Sequence, residues 1–223
     1  MTGGLWQLGL AVALFLVSHS LANRPAIRRP AERLLGRAGF IAVYSAVSLL
    51  LLAWMIAAVR AAPIEPVWPK EPWTLWVPAL VMPVAGILAV AGMTSPNPFS
   101  IGPGARGYDP ARPGILRVTR HPVPWSFSLW AGAHMVPNGD VAGLMLFAPL
   151  LVLALAGPAL LDGGRRRALG EVEWRRLAAA TGRPSALSAA LRETGGPRIA
   201  GGLALYAILV ALHPLVIGLS PLP

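Results

Sequence analysis

Four histidines carry most of the metal-binding and acid–base potential of this chain, which contains no cysteine. They are His19, His121, His134 and His213, and each lies in or at the end of an apolar run. Neutral imidazole is the commonest protein ligand for haem and other metals. The plainer reading is that each ring hydrogen-bonds a neighbouring helix. A second cluster is Arg117, Thr119, Arg120, His121 and Pro122, where a basic connection enters an apolar run. Proline suits the first turn of a helix, and the free amides there attract anions. Arginine forks add bidentate recognition of phosphate or carboxylate. The cluster therefore suits a phosphate head group, a haem propionate or a nucleotide cofactor, or else plain lipid anchoring. A third cluster holds Asp162, Arg165, Arg166, Arg167, Gly170, Glu171, Trp174, Arg175 and Arg176. It could close over a ligand beside the second cluster, or lie on anionic lipid as an amphipathic helix.

Other chemistries find no support. Ser18 adjoins His19, but neighbours in a helix point to different faces. There is no nucleophile elbow of the Gly-x-Ser-x-Gly type. Without cysteine there is no disulfide, thiolate metal site or sulfur nucleophile.

The elements that must position these residues are membrane helices. Of 223 residues, 55% are hydrophobic and 13% charged, against about 25% charged in a soluble domain. The pattern predicts an all-α bundle of about six spans, near residues 4–22, 39–59, 75–93, 121–137, 141–161 and 199–219. They form one domain across residues 1–223. The first run has no basic residue ahead of it and no small-residue cleavage site, so it is expected to be retained as a span. Trp68, Trp73 and Trp76 suit an interface. The proline-rich stretch 94–114 is expected to be irregular, Asn138-Gly139-Asp140 a tight turn, and residues 168–180 an amphipathic surface helix. The spans contain no Asp, Glu, Lys or Arg away from their ends, which argues against a carboxylate proton relay.

The net charge of +10 sits in the connections. Residues 23–38, 94–120 and 162–198 carry +4, +3 and +4, whereas 60–74 is neutral and 138–140 carries −1. This alternation is a positive-inside signature, not a nucleic-acid footprint. It places the three basic connections in the cytoplasm and both termini in the periplasm of a bacterial inner membrane.

Several motifs carry a family resemblance. They are His19-Ser20, Gly36-x-x-Gly39-Phe40, Tyr44-Ser45-x-x-Ser48-Leu49, and Leu116-Arg117-Val118-Thr119-Arg120-His121-Pro122. Leu129-Trp130-Ala131-x-Ala133-His134, Asn138-Gly139-Asp140 and Asp162-x-x-Arg165-Arg166 complete the set. Together they resemble the NnrU family, associated with nitrogen-oxide metabolism and denitrification. That family is similar to the zeta-carotene isomerases, membrane proteins that use haem b to isomerise a cis double bond. The resemblance implies haem b, with His19 and His134 at the axial positions and Arg117, Arg120 and His121 as further cofactor contacts. Ala131 stands where the isomerases carry a cysteine one turn before the second ligand. It also implies a small hydrophobic or nitrogen-oxide substrate, and a haem-dependent polyene isomerase is the alternative reaction. The Arg-His-Pro entry with the downstream Arg/Glu/Trp segment also resembles membrane methyltransferases that use S-adenosylmethionine. Depth along the helices suggests a different pairing of histidines. His134 lies about 20 Å along its helix from His121 at 1.5 Å per residue. By depth alone His19 would pair with His121, and His134 with His213.

Overall fold

A computed structural model describes residues 4–22 and 24–223; Asn23, in the first basic connection, lies outside the described residues. The helices are α1 (Leu5–Ala22), α2 (Pro25–Ala61), α3 (Trp76–Thr94), α4 (Pro122–Met135), α5 (Val141–Leu169), α6 (Glu171–Ala178), α7 (Leu187–Thr194) and α8 (Gly196–Val216). Among the described residues no strand forms, only an isolated bridge between Pro66 and Asp140. Five segments are long and apolar enough to cross a membrane: α1, α2, Pro72–Thr94, α5 and α8. This is a polytopic all-helical membrane protein. The expected fourth span is the 14-residue α4. At 1.5 Å per residue it covers about 21 Å, short of a hydrocarbon core of about 30 Å. Proline opens it at Pro122 and follows it at Pro137.

Two expected connections are helical instead. The basic stretch after α1 forms the first part of α2, which breaks at Gly36 (φ 70, ψ 165). Its Ala, Arg, Glu and Leu residues are good helix formers, Pro25 suits the first turn, and Arg28 pairs with Glu32 one turn on at 2.8 Å. A left-handed φ costs glycine little, so Gly36 is where the basic segment and the apolar segment part. Likewise α5 continues past residue 161 to Leu169, bringing Asp162 and Arg165–Arg167 onto a helix. The amphipathic helix expected at 168–180 is α6, preceded by Gly170 at φ 79. Residues 95–113 are irregular, as their prolines require.

The chain divides into two compact units. The first holds Met1–Pro69 and Asn138–Pro149. Here α1 packs on α2 through buried Leu8, Ala11 and Val12 and buried Met55 and Ala58. The stretch 65–68 pairs with the turn before α5: Val67 and Trp68 donate to the Gly139 carbonyl at 2.8 and 3.1 Å, and Val141 donates to Glu65 at 2.9 Å. A Cβ at Gly139 would stand 2.1 Å from the Trp68 indole nitrogen, so only glycine fits. Asp140 caps α5, accepting the Gly143 amide at 2.9 Å.

The second unit holds Lys70–Pro137 and Leu150–Pro223, with α3 packed on both α4 and α8. Gly86 and Gly202 let α3 and α8 touch backbone to backbone, since a Cβ on Gly202 would lie 2.4 Å from the Ile87 Cα. Small residues at a helix crossing are how membrane helices gain contact without a hydrophobic driving force. Pro83 has no amide for the Ala79 carbonyl one turn back. The Tyr206 hydroxyl from α8 donates to that carbonyl at 3.2 Å instead. Ser126 of α4 donates to the Ala85 carbonyl of α3 at 2.8 Å.

Candidate functional site

The connections at the ends of α3, α5 and α8 fold into one polar cluster of the second unit. Its organiser is Asn97, fully buried in the Ser-Pro-Asn-Pro run after α3. The Asn97 amide donates to the Arg120 carbonyl at 3.1 Å, and its oxygen accepts the Phe99 and Ser100 amides at 2.9 and 3.1 Å. This folds the irregular stretch back on the Thr119-Arg120-His121 entry to α4. Phe99, fully buried, meets Tyr108 and Trp174 edge-on with centroids 5.8 and 6.3 Å apart. Leu88, Ala91, Ile115 and Leu116 complete the apolar floor. Tyr108 donates to the Leu177 carbonyl at 3.0 Å, tying α6 down. Burial pushes its phenol up to about 12, so it stays a donor at any physiological pH.

On this floor stand Arg120, His121 and Asp162. One carboxylate serves both bases: Asp162 Oδ2 lies 3.0 Å from Arg120 Nη2, and Oδ1 lies 2.9 Å from His121 Nε2. With Nε2–H donating to the carboxylate, the lone pair of His121 falls on Nδ1. Arg120 also lies 5.2 Å over the Trp174 ring, and Arg166 lies 3.9 Å over it. Gly182 (φ 68) passes so close that a Cβ there would be 2.9 Å from Arg120 Nη1. Its amide and that of Arg183 donate to the Leu116 and Arg117 carbonyls at 3.1 and 2.6 Å. Among the described residues, the buried side-chain atoms with no hydrogen-bond partner are His121 Nδ1, Arg120 Nε, Trp174 Nε1 and Ser100 Oγ. Three of them belong to the cluster and Ser100 adjoins it, so unmet polar capacity concentrates at this one place. The arrangement can orient an imidazole against a carboxylate and present its second nitrogen, which suits a ligand or proton-transfer role.

Arg117 turns elsewhere. Its guanidinium forks onto Glu193, with Nη2 at 2.6 Å and Nε at 3.2 Å, and the Gly114 amide adds a third bond at 3.1 Å. Arg117 holds the Glu193 carboxyl below the usual carboxylate range, burial opposing it. Of the third cluster, Asp162, Arg166 and Trp174 join the site. Glu171 with Arg175 and Glu173 with Arg176 pair along α6, away from it.

The remaining histidines each set Nδ1 against a backbone carbonyl. His19 Nδ1 lies 3.0 Å from the Phe15 carbonyl one turn back, with Tyr44 of α2 edge-on at 5.3 Å. His134 Nδ1 lies 2.8 Å from the Trp130 carbonyl one turn back. His213 Nδ1 lies 2.8 Å from the Leu219 carbonyl. Since a carbonyl only accepts, each Nδ1 carries the proton and each Nε2 the lone pair. His19 belongs to the first unit, and His121, His134 and His213 to the second. No group of three or more His, Asp or Glu residues suited to a metal ion occurs among the described residues; axial haem ligation by two imidazoles requires no such group.

Asn97, Glu193 and Gly182 were not evident in the sequence as site residues. Asn97 sits in a proline-rich turn of ordinary composition, and Glu193 gains meaning only through contact with a residue 76 positions away.

Five helical segments long and apolar enough to cross a membrane define a multi-pass membrane protein, and its second unit carries a charged polar cluster where helices end. The family model described as NnrU protein matches residues 7–221, nearly the whole chain, and the chain belongs to the NnrU family. No curated protein and no solved structure matches it.

Proposed function

We propose that this NnrU protein binds haem b through Nε2 of His19 and Nε2 of His134, and acts in nitrogen-oxide metabolism. The observation that carries the reading is that both rings set Nδ1 on a carbonyl one turn back in their own helix, which His121 and His213 do not. A metal-ligating histidine donates its other N–H to a carbonyl or carboxylate, which fixes the ring and leaves the ligating nitrogen bare of hydrogen. His19 and His134 do this toward the carbonyls of Phe15 and Trp130. His121 differs in donating Nε2–H to the Asp162 carboxylate, which leaves its lone pair on the buried Nδ1. A haem so held supplies one-electron chemistry at an iron whose potential is set by its axial ligands and surroundings. Ala131, fully buried one turn before His134, offers no thiolate to exchange with an imidazole. This favours a stable two-histidine centre over the polyene isomerase reading.

The chain's own residues do the remaining work. Arg120 and Arg117 are each neutralised by a carboxylate of the same chain. They therefore brace the entry to α4 and leave little charge for a propionate.

Orientation follows from charge and contact together. The neutral connection at 60–74 pairs with the turn at 138–140, while the basic connections at 94–120 and 162–198 pair with each other. With the positive set in the cytoplasm, and the short α4 completing a sixth crossing, both termini are periplasmic in a bacterial inner membrane.

The test is substitution of each histidine by alanine in the full chain, with the haem Soret band of detergent-purified protein as the readout. The band should be lost at His19→Ala and His134→Ala and kept at His213→Ala. Loss at His134 and His213 with retention at His19 would overturn the assignment.

A further inference from the structure

Apart from the histidines and the Asp162 cluster, the second unit has a groove of about 630 Å³ at the ends of α3 and α8. Arg112, Arg192 and Arg198 line it, with Thr94, Val90 and Pro197 beside them. Glu193 also reaches the groove, but its carboxylate is already closed in the fork with Arg117. Among the described residues none of the three lining arginines forms an ion pair. Arg198 is held by neutral acceptors only: Thr94 Oγ1 at 3.2 Å, the Thr94 carbonyl at 3.3 Å and the Thr194 carbonyl at 3.1 Å. These bonds order its guanidinium without neutralising it. Glu193 offsets part of the Arg112 charge, yet three guanidinium groups without an ion pair around one concavity favour an anion, and planar forks favour phosphate oxygens.

The position of the groove indicates where that phosphate comes from. Thr94 ends α3 and Gly196 opens α8, and both helices are long and apolar enough to cross a membrane. The groove therefore lies at the boundary where spans emerge, the depth of lipid head groups. The adjoining helix α7 presents Leu187 and Leu191, one turn apart and 51% and 37% exposed, as a surface helix does when it dips into lipid. Val90 and Pro197 give the groove an apolar side for the glycerol and upper acyl chain of a bound lipid.

We propose that this groove is a phosphate-binding site that holds the phosphodiester head group of an anionic phospholipid, with Arg112, Arg192 and Arg198 as its contacts. The proposal stands independently of haem ligation.

The test uses the detergent-solubilised full chain and short-chain phosphatidylglycerol, with short-chain phosphatidylcholine and inorganic phosphate as comparison ligands and native mass spectrometry or calorimetry as the readout. Phosphatidylglycerol should bind saturably and more tightly than phosphatidylcholine. Arg112→Gln and Arg192→Gln should each weaken it about fivefold, the effect of one basic residue near an anionic surface. These two side chains make no hydrogen bonds or ion pairs among the described residues, so the variants should fold even if Arg198→Gln does not. Arg183→Gln, outside the groove, should leave binding unchanged. Inorganic phosphate binding with the same arginine dependence, and no preference between the two lipids, would keep the phosphate site but move its source to a soluble anion. Equal binding of both lipids, or equal effects of the Arg112, Arg192 and Arg183 substitutions, together with no arginine-dependent phosphate binding, overturns the proposal.

Discussion

Asp162→Ala removes the single carboxylate that meets both Arg120 at 3.0 Å and His121 at 2.9 Å. His121 is 4% exposed, and its Nδ1 already lacks a partner. The substitution therefore leaves a buried imidazole with no hydrogen bond on either nitrogen, beside an unpaired guanidinium. Removing one partner of a buried ion pair costs roughly 3–5 kcal/mol. The Asp162 and Arg120 side chains are 19% and 25% exposed, so water recovers part of that, and about 2–3 kcal/mol is expected. In a chain of this size each kcal/mol moves the melting midpoint about 2–4 °C, so the drop should be about 5–10 °C. The assay is thermal unfolding of the detergent-solubilised chain at one fixed scan rate, because membrane proteins seldom unfold reversibly. Asp162→Asn, which keeps an acceptor but not the charge, should fall between. Arg120→Ala combined with Asp162→Ala should cost less than the two singles summed, by about 1 kcal/mol or more. A variant Asp162→Ala that melts within about 1 °C of the parent would refute the idea that this carboxylate holds the entry to α4.

Three other outcomes are expected. Gly202→Ala places a Cβ 2.4 Å from the Ile87 Cα, so α3 and α8 must separate. Overpacking of this kind costs about 1–3 kcal/mol, measurable in the same melt. Glu193 has its carboxyl held below the usual range by Arg117, so its stabilisation is present above the ordinary carboxylate range and lost as pH falls through the lowered value. Melts of the parent and of Glu193→Gln should therefore differ at neutral pH and converge on acidification, and a gap that widens in acid would contradict the assignment. Reporter fusions after Pro69 and at the C-terminus should read periplasmic, whereas a cytoplasmic C-terminus would sink the proposed orientation.

The membrane-helical class was legible because burial in lipid leaves a compositional mark that no loop disguises. The limits of α1, α3 and α8 followed from apolar length and the prolines that flank it. The expected fourth span, 121–137, agrees with α4 to within two residues at either end, but the helix is too short to cross a full hydrocarbon core. Pro122 and Pro137 bracket a helix of 14 residues. Charge misled at 24–35 and 162–169, where arginine-rich sequence was read as connection although Arg, Ala and Leu are strong helix formers. The Arg120-His121 entry and the Asp162–Trp174 segment drew attention as two separate clusters on one side, and the structure joins them through one carboxylate and one indole. Glu193 and Asn97 escaped notice for a different reason. Their roles rest on pairings of residues 76 and 23 positions apart, and no periodicity records a long-range hydrogen bond.

The proposed ligation of a haem by His19 and His134 is measured most directly by the absorption spectrum of the protein purified in detergent from cells with ample haem supply. A Soret band is expected and, on reduction, the sharp visible bands of a low-spin b-type centre with two histidine ligands. A spectrum with no Soret band, or one of a high-spin centre with a single protein ligand, would contradict it.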